Sequence, residues 1–526
     1  MSNNPTLNPL WDDLKAQASQ AQQRNIESLF NEDNNRFDIH SCEAQGIFLD
    51  YSKQNITHDI LKNLTDLLHA QEFETKRSAM FSGALINNTE KRAVLHTALR
   101  RPKNDEVTVE SENVIPDIHD ALDKMKEFSD HVRNENHKGA TGKPIKNIIS
   151  IGIGGSDLGP RLISEALAKC ADKNDKILKT YFVSNVDGDD IEAALKECNA
   201  EETLLVVISK SFKTQETLTN ALTARQWLTD NLPNDADIGA HFVAVSSNLS
   251  AVEEFGISSS NIFPMWDWVN GRFSLWSAVG LSICLQHGFD KFRQLLDGAY
   301  EMDQHFLSAP ADKNLPILMA LIGIWNTNFL EHNTLAILPY AQSLLYLPAF
   351  LQQLEMESNG KDIDYTGAQI TDYKTCPIIF GEVGTNGQHS FYQLLHQGRD
   401  ITPCDFIGVK NPDTDLPHHH NLLLSHMLAQ GQAMMQGRKN PDKPYRYFHG
   451  NRPNSTLLLD TMNATMLGKL IALYEHKTFV QGVIWNVNSF DQYGVELGKE
   501  LSAKLENNDL DDADPSTKAL YDIISK

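Results

Sequence analysis

The chain has 526 residues, 41% hydrophobic and 22% charged, a globular composition too long for one hydrophobic core and sufficient for two or three domains. Its 69 Asp and Glu outnumber 46 Lys and Arg, and the resulting net charge of −23 argues against nucleic acid and anionic membrane as main partners. A small anionic ligand is not excluded, because it responds to local donors rather than to the global sum.

Residues 1–40 are polar and helix-prone and predict an N-terminal helical extension anchored by Trp11, Leu14, Ile26, Leu29 and Phe30. Residues 41–115 mix helix and loop, and Glu90–Arg100 has the pattern of an amphipathic helix. From 147 onward the pattern changes to short runs rich in Val, Ile and aromatics: Asn147–Ile151, Lys179–Val183, Thr203–Ile208, His241–Val245 and Asn261–Phe263. Helical segments separate most of them, as at Pro160–Lys169, Ile191–Lys196 and Thr214–Asp230. Buried strands alternating with helices predict a parallel sheet covered on both faces, with ligands outside the carboxyl ends of its strands.

A helical connection near 275–310 and a helix through Ala320 lead to a second α/β unit with strands at Thr334–Leu338, Pro377–Phe380 and Cys404–Val409. Residues 437–455 read as loop, with Pro441, Pro444 and Pro453; Glu506–Asp514 is acidic, and Asp514-Pro515 starts a last short helix. The expected fold class is α/β, with two doubly wound, mainly parallel α/β sandwich domains and helical N- and C-terminal extensions. The expected boundaries are 1–40 for the N-terminal extension, 41–120 with 291–500 for a larger domain, 121–290 for a smaller one and 501–526 for a C-terminal arm.

Cys42, Cys170, Cys198, Cys284, Cys376 and Cys404 are scattered without a Cys-x-x-Cys pair, which predicts reduced thiols. Met1–Pro5 lacks the basic and apolar regions of a signal peptide, and the longest clean apolar run, Ile317–Trp325, falls far short of the roughly 20 residues that span a bilayer. A cytoplasmic location is the expectation.

Several stretches carry potential chemistry. The apolar segment Leu344–Met356 delivers Glu357 to the last turn of a helix, and Asn359-Gly360 break it, with Gly favoured where a chain leaves a helix in a left-handed conformation. A solvated helix-end carboxylate is the bland reading, yet the negative end of the macrodipole disfavours a carboxylate there. After Ile151, Gly152-Ile-Gly-Gly-Ser-Asp-Leu-Gly-Pro160 nearly matches two nucleotide motifs and fails both, through Asp157 and Pro160-Arg161. It is either a tight turn or a glycine loop against which a polar ligand packs.

After Ile208, Ser209-Lys-Ser-Phe-Lys-Thr-Gln-Glu-Thr217 sets four hydroxyls and Lys210 at the start of a helix, more than one N-cap needs, and reads as a phosphate cradle. Gly271-Arg272 lies at a loop-to-helix junction, and a glycine-rich loop at Phe380–Ser390 ends in His389. Gln492, Glu496 and Lys499 share a helix face by spacing. The triple His418–His420 suits a polar helix start better than a metal site, because consecutive residues point in different directions.

The blocks Ile151–Pro160, Gly271–Ser274, Met356–Lys361, Gly384–His389 and Ser489–Lys499, in that order over nearly the whole length, make the chain resemble the phosphoglucose isomerase family, built of sugar-isomerase (SIS) domains. Ser211 and Lys213 depart from it, standing where the family often has Thr. The resemblance implies reversible isomerisation of D-glucose 6-phosphate and D-fructose 6-phosphate through ring opening and a cis-enediol, in glycolysis and gluconeogenesis. It implies Glu357 as the base between carbons 1 and 2, Arg272 as the cation beside the enediolate, and His389 and Lys499 as the ring-opening pair. It further implies Ser209, Lys210 (through its backbone), Ser211 and Thr214 at the phosphate, and Gly155, Ser156, Gln353 and Gln492 along the sugar. No cofactor, metal or nucleotide is implied; a homodimer is, with His389 donated across the interface. A sugar-phosphate-sensing SIS binding protein is the alternative, although such regulators usually carry a DNA-binding segment that this acidic chain does not display.

Overall fold

The computed structural model describes residues 4–171, 175–412 and 414–525, so the first three residues of the expected 1–40 extension lie outside the described residues. Two compact units divide it, one ending at Ser489 and the other starting at Phe490.

In the first unit, helix α1 (Pro9–Ala21) buries Trp11 and Leu14, while Ile26 and Leu29 are buried by a short helix, Ile26–Glu32, that leaves Phe30 partly exposed. A hairpin follows, β1 (Ser41–Ala44) and β2 (Ile47–Asp50), closed by Gln45 and Gly46 at φ +57° and +75°. Two consecutive positive φ angles are what a two-residue hairpin turn needs to match strand twist. Helices α2 (His58–Ala70) and α3 (Ile115–Arg133) come next.

The expected helix at Glu90–Arg100 is absent apart from one turn at Ala98–Arg100. Every residue from Ala93 to Arg100 is buried, so there is no solvent face for an amphipathic helix to present. Leu95 N–H donates to the Trp268 carbonyl, and Arg100 reaches Asp303 at 2.6–2.7 Å and Glu475 at 2.7 Å.

The smaller sheet holds β3 (Asn147–Ile151), β4 (Lys179–Val183), β5 (Thr203–Ile208), β6 (Phe242–Ser246) and β7 (Ile262–Pro264). All pair in parallel, in the order β4-β3-β5-β6-β7. The chain goes from β3 to one side and then returns to the other, which puts a topological switch point at the carboxyl ends of β3 and β5. Helices α4 (Leu158–Lys169) and α5 (Gln215–Asn231) follow those two strands. Ala221, Ala224 and Leu228 of α5 pack on Ile149, Ile151, Leu205 and Val207 on one face, and Ile148, Leu204 and Val206 on the other face are buried as well, so these strands lack apolar–polar alternation.

After α6 (Phe289–Ser308) and a helix at Leu315–Ile324, the larger sheet adds β8 (Thr334–Tyr340), β9 (Ile378–Gly381), β10 (Cys404–Val409) and β11 (Asn454–Leu459). Its order is β1-β2-β11-β10-β8-β9, parallel from β11 to β9 with the hairpin antiparallel at one edge. Here the direction reverses between β8 and β10. Two doubly wound, mainly parallel α/β sheets are thus the architecture.

The hairpin and β11 are strands that the sequence reading passed over. Asn454–Leu459 begins Asn-Ser-Thr and falls partly in the stretch read as loop; it is a strand because β10 and β2 supply ladders on both sides. Helices α7 (Pro417–Gln436), with His418–His420 in its first turn, and α8 (Ala464–Ile484) complete this unit. Helix α8 is buried on nearly all faces and crosses α6 backbone to backbone, since a Cβ on Gly298 would meet the Thr465 carbonyl at 1.9 Å. The second unit contains α9 (Glu496–Glu506) and α10 (Pro515–Ile524), the latter capped by Asp514, which accepts from the N–H of Ser516 and Thr517. No described helix is long and apolar enough to cross a membrane.

Candidate active site

Strand β8 delivers the chain to the helix Leu347–Leu351, which widens into a π-helical stretch, Gln352–Glu357, and ends at Asn359. Glu357 therefore sits at the end of a helix, as expected, but within π rather than α geometry. Gly360 breaks the helix without adopting a left-handed conformation. It is glycine for a different reason: a Cβ there would lie 2.4 Å from the Met356 carbonyl oxygen.

Facing Glu357 is Arg272, on a 3₁₀ turn at Gly271–Trp276. Its side chain is 1% exposed against 21% for Glu357, and Nη1 lies 3.7 Å from Glu357 Oε1. Nε donates to Ser358 Oγ at 2.7 Å and Nη2 to the Ser489 carbonyl at 2.6 Å. The guanidinium is thereby anchored to the residue next to Glu357 and to the end of the unit. Glu357 Oε2 is buried and, among the described residues, has no hydrogen-bond partner. A carboxylate oxygen placed this way can remove a proton from carbon, and the fixed cation beside it can stabilise the oxyanion that forms.

The glycine loop after β3 packs directly on the backbone that carries Arg272. A Cβ at Gly155 would stand 1.9 Å from the Gly271 carbonyl oxygen and 2.7 Å from Arg272 N, so backbone meets backbone there. At Gly154 (φ +59°) a Cβ would reach Gln353 Nε2 at 3.0 Å, which places Gln353 against the same loop. Ser156 closes the short 3₁₀ turn Gly154–Ser156.

The loop after β5 forms the other side of the switch point. Ser209 Oγ donates to Thr214 Oγ1 at 3.2 Å, and Thr214 precedes α5 without capping it through its side chain. Ser211 is exposed, and its carbonyl accepts from Asn248. The Lys210 ammonium, its pKa lowered by burial, donates to the carbonyls of Asp267 and Val269 at 3.0 and 3.1 Å. Those residues lead into Gly271-Arg272, so the Lys210 side chain ties the loop after β5 to the arginine's segment.

His389 ends the 3₁₀ turn Asn386–His389 after β9 and is exposed; among the described residues no hydrogen bond or ion pair joins it to Arg272 or Glu357. Gln492 and Lys499 belong to the C-terminal unit. Lys499 is exposed on α9, whereas Gln492 precedes that helix with φ −152° and ψ 43°. The shared helix face expected of Gln492 with Glu496 and Lys499 is therefore not formed. Sequence reasoning also passed over the residues that fix the site. Ser358 and Ser489 are buried inside motif blocks singled out for other members, Asn359 is read there only as a helix breaker, and Lys477 follows Glu475 and His476 in a buried helix that is otherwise mostly apolar.

Residues 50–521 match the model of the phosphoglucose isomerase family. The chain belongs to the phosphoglucose isomerase family. Within this phosphoglucose isomerase family it is 49% identical to the glucose-6-phosphate isomerase of Deinococcus deserti, over 95% of this chain and 94% of that one. It is 48% identical to the glucose-6-phosphate isomerase of Alteromonas mediterranea, over 97% of each. The crystal structure of a glucose-6-phosphate isomerase from Chlamydia trachomatis superposes with a TM-score of 0.88 at 33% identity, covering 99% of both chains.

Proposed function

We propose that this chain interconverts D-glucose 6-phosphate and D-fructose 6-phosphate, in glycolysis and gluconeogenesis, by ring opening followed by proton transfer between carbons 2 and 1 through a cis-enediol. The observation that carries the reading is the Glu357 carboxylate, with one oxygen bare and the other 3.7 Å from a locked guanidinium, in a chain matched to the isomerase family almost from end to end. Glu357 removes the proton from carbon 2 and returns it to carbon 1, and Arg272 stabilises the enediolate.

His389 and Lys499 take the ring-opening roles, one protonating the ring oxygen and the other accepting the hydroxyl proton. Ser209, Ser211, Thr214 and the Lys210 backbone hold the phosphate at the start of α5, while Gly155, Ser156, Gln353 and Gln492 line the sugar. We assign residues 41–120 with 291–500 to a larger domain, 121–290 to a smaller one, 1–40 to the N-terminal extension and 501–526 to a C-terminal arm. The working form is a cytoplasmic homodimer whose His389 serves the neighbouring subunit; the exposure of His389 supports this.

The test is Glu357→Gln. Loss of a general base should cut kcat at least about 10²-fold while the affinity for a phosphate-bearing competitive inhibitor holds. Turnover close to wild type would remove Glu357 from its role.

A further inference from the structure

Glu355 precedes Glu357 by two residues and faces the other way, with none of its surface exposed. Both its oxygens accept from Lys477 Nζ, at 2.7 and 2.6 Å, and that lysine is 2% exposed in the middle of α8. The next residue of α8, Thr478, offers its carbonyl to Asn359 Nδ2 at 2.9 Å, and Asn359 Oδ1 in turn accepts from Ser489 Oγ at 2.7 Å. Residues 355 and 359 are thus pinned to adjacent positions on one helix, and the residue midway between them carries the carboxylate beside Arg272.

The pinned stretch is the π-helical one, where the regular α ladder is interrupted, a geometry that recurs at functional sites. An ion pair this deep is a poor source of net stability, because desolvating both charges offsets most of their attraction, and apolar replacements of both are often neutral or stabilising. Its presence therefore points to geometry rather than to stability.

We propose that Glu355 and Lys477 are positioning residues, whose buried pair holds the Gln352–Glu357 turn in the register that aims Glu357 at the substrate carbons and keeps it 3.7 Å from Arg272. This rests on Glu357 being the base. Asn359 secures the far end of the same turn.

The experiment is the double variant Glu355→Leu with Lys477→Met, which removes both charges and keeps apolar volume. Its melting temperature should stay within a few degrees of wild type and its KM for fructose 6-phosphate within about twofold. Its kcat should fall about tenfold or more, since a misplacement near 1 Å costs up to about 10²-fold. A folded double variant with wild-type kcat overturns the proposal, as does a KM rise that accounts for the whole loss.

If the double variant does not fold, Glu355→Gln is measured well below its own melting temperature. The same kcat loss at unchanged KM is expected, and wild-type kcat there also overturns the proposal. Glu357→Gln is assayed in parallel: an active Glu357→Gln sinks the base assignment, whereas an inactive one beside a fully active double variant sinks only the positioning role.

Discussion

Replacing Gly155 with Ala should damage catalysis through Arg272, although the atoms nearest the new methyl group are all backbone. The added Cβ would stand 1.9 Å from the Gly271 carbonyl oxygen, where an ordinary carbon–oxygen approach is about 3.3 Å. Backbone on both sides must separate by about 1.4 Å, and neither side ends in a flexible group that can swing away. Arg272 follows Gly271 directly, and its guanidinium is held by Ser358 and the Ser489 carbonyl. The retreat therefore either strains those bonds or draws the cation from Glu357. A displacement of this size corresponds to roughly 10² in rate. The assay is the coupled conversion of fructose 6-phosphate, with a thermal melt to separate misplacement from unfolding. Gly271→Ala is the control, because a Cβ there meets nothing within 4 Å, and it should retain far more activity. Gly155→Ala at wild-type kcat, or equal losses in the two variants, would refute the reasoning.

Thr214→Val keeps the shape and removes a hydroxyl that also accepts from Ser209, so a phosphate-bearing inhibitor should lose roughly 1.5–3 kcal/mol of binding while its dephosphorylated analogue is unaffected; equal losses for both would contradict a phosphate-specific role. Glu357→Gln and His389→Ala, each nearly inactive, should regain roughly a quarter of wild-type activity when unfolded and refolded together, because about half the dimers are mixed and each mixed dimer has one intact site. No recovery would mean that all catalytic groups of a site come from one chain. Burial and the neighbouring Arg36 lower the pKa of His40, which is 4% exposed, to about 4. The unfolded chain then binds the extra proton between pH 6.5 and 4, so the stability is present above pH 6.5 and roughly 3 kcal/mol is lost as pH falls to 4. In His40→Gln the denaturation midpoint should change less between pH 7.5 and 4.5 than in wild type, and an unaltered slope would count against it.

Much of this protein is legible without coordinates. The runs at Asn147–Ile151, Lys179–Val183, Thr203–Ile208 and Cys404–Val409 are strands at those residues: the first, third and fourth are buried along nearly their whole length, as strands covered on both faces are, and the second, a partly exposed edge strand, is marked by its Thr, Val and aromatic residues. The loops after the first and third of them stand out because glycines and hydroxyls at a strand-to-helix junction serve a ligand through the backbone, a local property. The carboxylate at Glu357 and the break behind it are likewise local.

What the sequence left open depends on partners far along the chain. Asn454–Leu459 is a strand only because β2 and β10 flank it, and Glu90–Arg100 is not a helix because Asp303, Glu475 and Trp268 enclose it. Arg272 acquires its fixed position from Ser358 and Ser489, 86 and 217 residues away. Lys210 reads as a phosphate ligand by its neighbours, and only the fold commits its ammonium to the carbonyls of Asp267 and Val269. Gly155 reads as part of a ligand loop, and only the fold shows that its missing Cβ also lets the Gly271 backbone approach. Periodicity and turn chemistry act over a few residues, so they set which segments are strands, helices and loops. Close backbone approach and the pairing of buried charges exist only once distant segments meet, and those contacts set the geometry of the site.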